Sequence, residues 1–333
     1  MKRREFESHA NLHQIAGFSR YTLQDGLESG VEIIEIRSGN GLRVGVCPWR
    51  GLDITFAELN GVNLTWRHPN GAIHPAFYSE NNFDWLRGAP SGLVTTCGLE
   101  SFGPPCEIAG EKWGIHDRIS YLPAREVSAQ TLWHDEENCE FRLSGSVHQT
   151  RLFGANLTLN RAISVNLGEN RLVLRDEIRN AGFESAPFCV LYHCNFGFPF
   201  VEASVVLSID SDVTPRDAEA QSGLENWAQI EAPTPNFKEQ VFFHDLRAEK
   251  TGRASLWNAK RKVGVALRFS RAQLPFFTQW KMLGAGAYVL GLEPSNAPLA
   301  NRETLLERGE MPVLEAGESR DFELEFEFLS EKL

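Results

Sequence analysis

The sequence lacks any apolar run long enough to cross a membrane as a helix. Its most apolar stretch, 188–201, is interrupted by His193 and Asn195, and a span needs about 18 or more such residues. No Lys/Arg cluster exceeds the Lys2-Arg3-Arg4 triplet, and the net charge is −11. That balance excludes a sequence-independent nucleic-acid binder and argues against docking on anionic membranes. The sequence contains no GxxxxGK[ST], no GxGxxG after a strand, no GxSxG and no HExxH. The usual marks of phosphoryl transfer, dinucleotide redox chemistry, serine hydrolysis and zinc proteolysis are therefore missing. None of the six cysteines (47, 97, 106, 139, 189 and 194) forms a CxxC. Their irregular spacing reads as free, mostly buried thiols in a reducing compartment. The charged N-terminus is not followed by an apolar h-region, so no Sec signal is expected and the cytoplasm is the natural location. There is no repeat of 20–50 residues and no Pro/Ser/Gly linker. The expectation is one domain over residues 1–333, with the first ~30 residues peripheral.

What the chain has instead is period-two alternation. Residues 31–36 (VEIIEI) and 42–47 (LRVGVC) are short β-type runs, and 52–59 and 62–66 flank Asn60-Gly61, a strong hairpin signal. Segments 139–147 and 157–165 alternate, and 171–178 follows a Gly168-Glu169-Asn170 turn. In 322–328, Phe322, Leu324, Phe326 and Phe328 share one face, and Glu323, Glu325 and Glu327 the other. That pattern belongs to a half-solvated strand of an antiparallel sheet. Helical signals are scarce; the best is 301–307, with Asn301 as its cap. The expected fold is an all-β, mostly antiparallel sandwich, with long loops at 67–92 and 210–240 where sites are usually found.

Four small clusters carry chemistry. Trp85-Leu86-Arg87-Gly88 precedes 92–99 (GLVTTCGL) and 114–120 (GIHDRIS), where His116 and Arg118 would share one side of a strand. The alternative is a loop histidine and a surface arginine paired with Asp117. His193 interrupts the apolar run FCVLY; a buried histidine needs a partner, in a core or in a site. Glu293 follows YVLGL and precedes Pro294, a position suited to a site carboxylate or to a turn cap. In 277–282 (FTQWKM), Gln279 and Lys281 fall on one face and Trp280 on the other. Trp280 is either a platform for a sugar ring or a core residue. A His/carboxylate metal site from His116, Asp117, His193 and Glu293 lacks tight ligand spacing such as HxH, so no metal is expected.

As an ordered set, GIHDRIS, YHCNFG, QWK and GLEPSN resemble the aldose 1-epimerase (galactose mutarotase-like) superfamily. The resemblance is closest to a divergent bacterial branch with R-G-L/M-D-I, G-G-L-L-T-T-C-G-L and G-L-H-G-R-I-S segments. Here these stand at 50–54 (RGLDI), 92–99 and 114–120, and the likeness runs from about Ile33 to Leu329. One departure is Asp117, where the branch has Gly. The resemblance implies a β-supersandwich with a cofactor-free sugar site. It implies His193 as general acid, Glu293 as general base and His116 as the group orienting the sugar. Arg87, Arg118, Asp53 and Gln279 are implied binding groups, and Trp280, as the candidate sugar platform, joins them. Better-known members use an Asp between the two catalytic residues to hold a sugar hydroxyl, and Asp217, after Thr214-Pro215-Arg216, is the local candidate.

Two classes of function follow. One is an isomerase that interconverts the anomers of a small sugar, acting without cofactor as a monomer or homodimer. The other is a sugar-binding or sensing protein that kept the sandwich and lost catalysis. A related isomerase or lyase on the same scaffold is a third option, because fold does not fix chemistry.

Overall fold

The structure, a computed structural model, describes residues 11–89 and 91–332; the start of the expected N-terminal periphery, 1–10, lies outside the described residues. Alternating burial along the strands builds three large sheets, beside two two-stranded ribbons among the described residues. The first is a five-stranded meander running Gly17–Thr22, Glu32–Arg37, Leu42–Cys47, Asp53–Leu59 and Val62–Asn63. Asn60 and Gly61 turn its last hairpin with φ of 51° and 81°, the two left-handed residues that a tight hairpin needs. The second sheet has eight strands, in the order Val205–Ile209, Thr251–Asn258, Val263–Ser270, Ser319–Leu329, Arg171–Asn180, Asn156–Asn166, Cys139–Thr150 and Arg125–Trp133. The third has six, in the order Ser211–Pro215, Gln240–Leu246, Phe276–Gly284, Ala287–Ser295, Cys189–Gly197 and Thr95–Leu99. Every ladder within these sheets is antiparallel.

The core lies between the sheets. Phe322, Leu324, Phe326 and Phe328 point into it, as their alternation predicts, and meet Ile34, Val44 and Ile54 in one cluster with Cys194, Phe196, Leu290 and Leu292. Burying each such side chain is worth about 1.5–3 kcal/mol. The two α-helices are short, Ala218–Ser222 and Arg302–Glu307, and Asn301 caps the second by accepting from the Thr304 N–H at 2.9 Å. Short 3-10 turns stand at Asp84–Gly88, within the expected 67–92 loop, and at Ile119–Tyr121; the expected 210–240 loop carries the strand Ser211–Pro215 and the first helix. All six cysteines are free, and five of them are buried.

One polar knot joins the three sheets. Arg161 donates to Asp53 at 2.7 Å and to Asp176 at 2.8 and 2.6 Å, and all three side chains are wholly buried. Thr96 donates its hydroxyl to Asp53 at 2.6 Å, and Tyr192 donates its hydroxyl to Asp176 at 2.8 Å. Burial pushes the Asp53 carboxyl up, and the Arg161 charge opposes it. Removing one partner of a buried ion pair leaves a charge without compensation and costs about 3–5 kcal/mol. Arg161→Met should therefore lower the urea-unfolding free energy by about that amount. A loss below about 1 kcal/mol, the scale of an exposed pair, would contradict the role given to the knot.

Candidate active site

The site begins with strand register. Leu191 pairs with Ser295 and Cys194 with Leu292, and the same register sets position 193 across from 293. On the next strand Thr278 pairs with Glu293 and Trp280 with Gly291, while Thr95 pairs with His193 on the other side. Side chains alternate along strands. Cys194 and Leu292 therefore face the core, and His193, Glu293 and Trp280 share the opposite face. The Glu293 strand does not end at the proline turn read from the sequence; it continues through Pro294 to Ser295.

His193 Nε2 lies 3.1 Å from Glu293 Oε1, with both side chains nearly buried. The two are close without forming an aligned hydrogen bond. His193 Nδ1 and Glu293 Oε1 are buried polar atoms with no hydrogen-bond partner among the described residues. Such atoms are rare and mark strain or function. Burial pushes the Glu293 carboxyl up to about 8, with Glu239 adding and Arg216 opposing. Burial pulls His193 down to about 4.

His116 completes a row of rings. It lies 4.9 Å from Trp85 and edge-on to His193 at 5.7 Å, and His193 meets Trp280 at 5.4 Å. His116 Nδ1 accepts from the Gly103 N–H at 3.4 Å. This assigns the proton of the neutral ring to Nε2, a free donor. Burial holds His116 neutral, with its pKa lowered to about 3. His116 and Arg118 are not on a strand. His116 and Asp117 adopt left-handed backbone, φ 61° and 57°, which explains why Gly suits the second position and why Asp is tolerated there. Asp117 adds an anchor, because its Oδ2 accepts from the N–H groups of Glu100 and Ser101 and from Gln149.

The remaining expected binding groups are held elsewhere. Arg118 pairs with Glu80, and Arg87, mostly exposed, with Asp84 at 2.7 Å. Asp53 is consumed by the knot. Gln279 faces the other side of the sheet from Trp280, where it pairs with His244 at 3.1 Å and donates to the Trp227 carbonyl at 2.9 Å. Asp217 caps the 218–222 helix and pairs with Arg216. Arg216 in turn donates to Glu239, which accepts from Trp280 Nε1 at 2.8 Å and so fixes that ring. Sequence reasoning missed Glu239, which no local motif marks.

It also missed the role of Arg50, although the RGLDI segment was in view. Arg50 is buried and donates to three carbonyls, those of Ser120, Ile73 and Gly88 at 2.7, 2.7 and 3.1 Å. Its guanidinium lies 3.9 Å from the Tyr121 ring centroid. Tyr121 donates to the Trp85 carbonyl, and Trp85 Nε1 to the Ser120 hydroxyl. Arg50 thus ties the loop carrying Trp85 to the loop carrying His116. A separate recess of about 380 Å³, lined by Tyr21, Arg43, Phe56 and Arg67, opens on the N-terminal sheet. There Arg43 is already paired with Glu35 and Glu58. Of the five buried side-chain atoms that lack a hydrogen-bond partner among the described residues, His193 Nδ1 and Glu293 Oε1 belong to one pair of touching side chains; the others are at Ser101, Glu231 and Asn296.

Residues 28–328 match the family described as a domain of unknown function, DUF4432, and the chain belongs to it. A search of curated proteins finds no match. Among solved structures, the chain is similar to a candidate aldose 1-epimerase from Klebsiella pneumoniae. That pair shares 26% identity over 94% of this chain and 83% of the other, with a TM-score of 0.87. It is also similar to a galactose mutarotase-like protein from Clostridium acetobutylicum (13% identity, 94% and 98% covered, TM-score 0.66) and to a galactose 1-epimerase from Lactobacillus acidophilus (13%, 94% and 98%, 0.60). The fold is the galactose mutarotase-like β-sandwich.

Lysine cannot reproduce the planar fork of Arg50. Arg50→Lys should leave at least one carbonyl unpaired, at a cost of about 1–3 kcal/mol. Hydrogen exchange should quicken in 67–92 and 114–121 while the eight-stranded sheet stays protected. Unchanged exchange in those loops would remove Arg50 from the site's support.

Proposed function

We propose that the protein interconverts the anomers of an aldose by general acid–base catalysis, with Glu293 as base and His193 as acid. The observation that carries this reading is the buried His193–Glu293 contact, with one unpaired atom on each side chain. Anomer exchange opens a hemiacetal. Glu293 takes the proton of the anomeric hydroxyl while His193 protonates the ring oxygen; the aldehyde rotates about C1–C2, and the ring closes on its other face. The C1–ring-oxygen bond breaks as the carbonyl forms, no oxidation state changes, and closing the ring returns the protons. The reaction needs one ionised carboxylate and one imidazolium, the same proton count as a neutral imidazole beside a carboxylic acid. The opposite displacements favour the neutral pair, so the reactive ion pair is the minor form, reached by passing the one shared proton from Glu293 to His193. Trp85 and Trp280 offer apolar ring faces to a sugar's C–H surface, and the His116 Nε2–H is a donor for one of its oxygens.

The ion-paired state of Arg87 and Arg118 supplies no free cation for an acidic sugar. The name of the Klebsiella relative supports the same reaction class. The free, mostly buried thiols fit the cytoplasm, and no described helix is long and apolar enough to cross a membrane. We take the chain as one domain acting on a small sugar without a cofactor.

Glu293→Gln and His193→Asn should each slow anomer exchange by at least about 10²-fold. Because the two groups act as a unit, the double variant should be little slower than either single variant. Saturation-transfer NMR between the α and β signals measures the rates. Near-parental exchange in Glu293→Gln would remove Glu293 as the base, and exchange no faster than the uncatalysed rate in both proteins would favour a non-catalytic sugar-binding protein.

The pH dependence follows from the same pair. It holds one proton between the lowered value of His193, about 4, and the raised value of Glu293, about 8. Exchange should be flat across that window, falling below it as a second proton binds and above it as the last leaves. Stability shows a related effect. The Glu293 carboxyl titrates higher in the fold than its ordinary 4.5, so its protonated form is favoured by folding and stability is lost as pH rises from about 4.5 to 8. Glu293→Gln should therefore gain stability over the parent as pH rises through that window. An advantage that did not grow with pH would mean that the carboxyl is not held protonated.

A further inference from the structure

Gly291 lies on the site face, two residues before Glu293, between Trp280 on one neighbouring strand and Asn195 on the other. A Cβ there would stand 2.6 Å from Glu293 Oε1, 3.1 Å from His193 Cε1 and 3.2 Å from the Trp280 Cβ. Its φ is not among the left-handed ones, so the backbone does not require glycine. Glycine inside a strand weakens the strand, and what it supplies here is empty space. The Glu293 carboxylate bends back along its own strand into that space, and there it meets His193 Nε2. The strand is paired on both sides and cannot recede, so a side chain at 291 would have to displace the carboxylate.

We infer that Gly291 is a positioning residue: its missing side chain is the seat that keeps the Glu293 carboxylate within reach of His193. The inference rests on reading His193 and Glu293 as the acid–base pair. Displacement by about 1 Å at a reacting centre can cost on the order of 10²-fold in rate.

The test uses the full chain with Gly291→Ala and the bulkier Gly291→Ser. Both should still fold cooperatively, because the atom that must give way is the end of the flexible Glu293 side chain and not backbone. Both should slow anomer exchange at least about 10-fold, with KM changed far less than kcat. A second readout does not need activity. The His193 imidazole is titrated by ¹⁵N NMR in the parent, in Glu293→Gln, in Gly291→Ala and in the double variant. In the parent background Glu293→Gln should abolish the step in the His193 ¹⁵N shift that marks loss of the Glu293 proton near pH 8; in the Gly291→Ala background that step should already be much smaller, so the same change should alter it much less. Equal changes in both backgrounds would overturn the inference, and so would parental exchange in a folded Gly291→Ala. If the parent shows no exchange with any sugar, the functional reading fails, and the titration cycle alone decides the role of Gly291.

Discussion

The buried knot around Arg161 sets the phase of everything near the site. It draws Thr96 and Tyr192, register partners on adjacent strands, toward the interior through Asp53 and Asp176. Strand side chains alternate, so inward anchoring of Tyr192 forces His193 outward, onto the face it shares with Glu293. A one-residue slip would reverse both and move the histidine into the core. The ions that hold the sheets together therefore also decide which face carries the chemistry. This explains why Asp53, near the site in sequence pattern, serves it from the other side of the sheet.

The site's second requirement is dryness. All nine residues of Cys189–Gly197 are buried, and Glu293 sits in the neighbouring strand with only a few per cent of its surface exposed. Desolvation disfavours the charged form of each group, raising the carboxyl and lowering the imidazole. The fold thus favours the neutral pair over its ionised alternative, which differs from it only by the position of one proton. The walls are separate pieces: Trp280 is fixed by Glu239, and the loops bearing Trp85 and His116 are clamped by Arg50. Arg50 is a buried cation held by carbonyl oxygens and an aromatic face, so its satisfaction depends on loop geometry and not on a counter-ion.

Much of this was legible in the sequence, and for physical reasons. Period-two burial marked the strand at 319–329, Asn60-Gly61 marked a turn that needs two left-handed residues, and Asn301 marked a helix start. His193 stood out because a titratable ring in an apolar strand needs an explanation. Other features depend on distant partners. Nothing near Asp53 shows that its carboxylate is claimed by Arg161, 108 residues away. Alternation separates Gln279 from Trp280 but does not say which of them faces the site. His116 and Arg118 read as strand neighbours because no glycine marks the left-handed pair at 116 and 117. Glu239 matters through Trp280, 41 residues away in sequence, and Gly291 through where the Glu293 carboxylate turns once it meets His193.

The central claim is that the protein catalyses ring opening and closure of a sugar and does not merely hold one. The most direct measurement is saturation-transfer NMR of equilibrated neutral, amino and acidic aldoses with a catalytic amount of the unaltered protein. The account predicts that at least one aldose shows α-to-β magnetisation transfer far above its uncatalysed rate. Sugar binding seen as line broadening, with anomer exchange at the uncatalysed rate for every aldose, would contradict it.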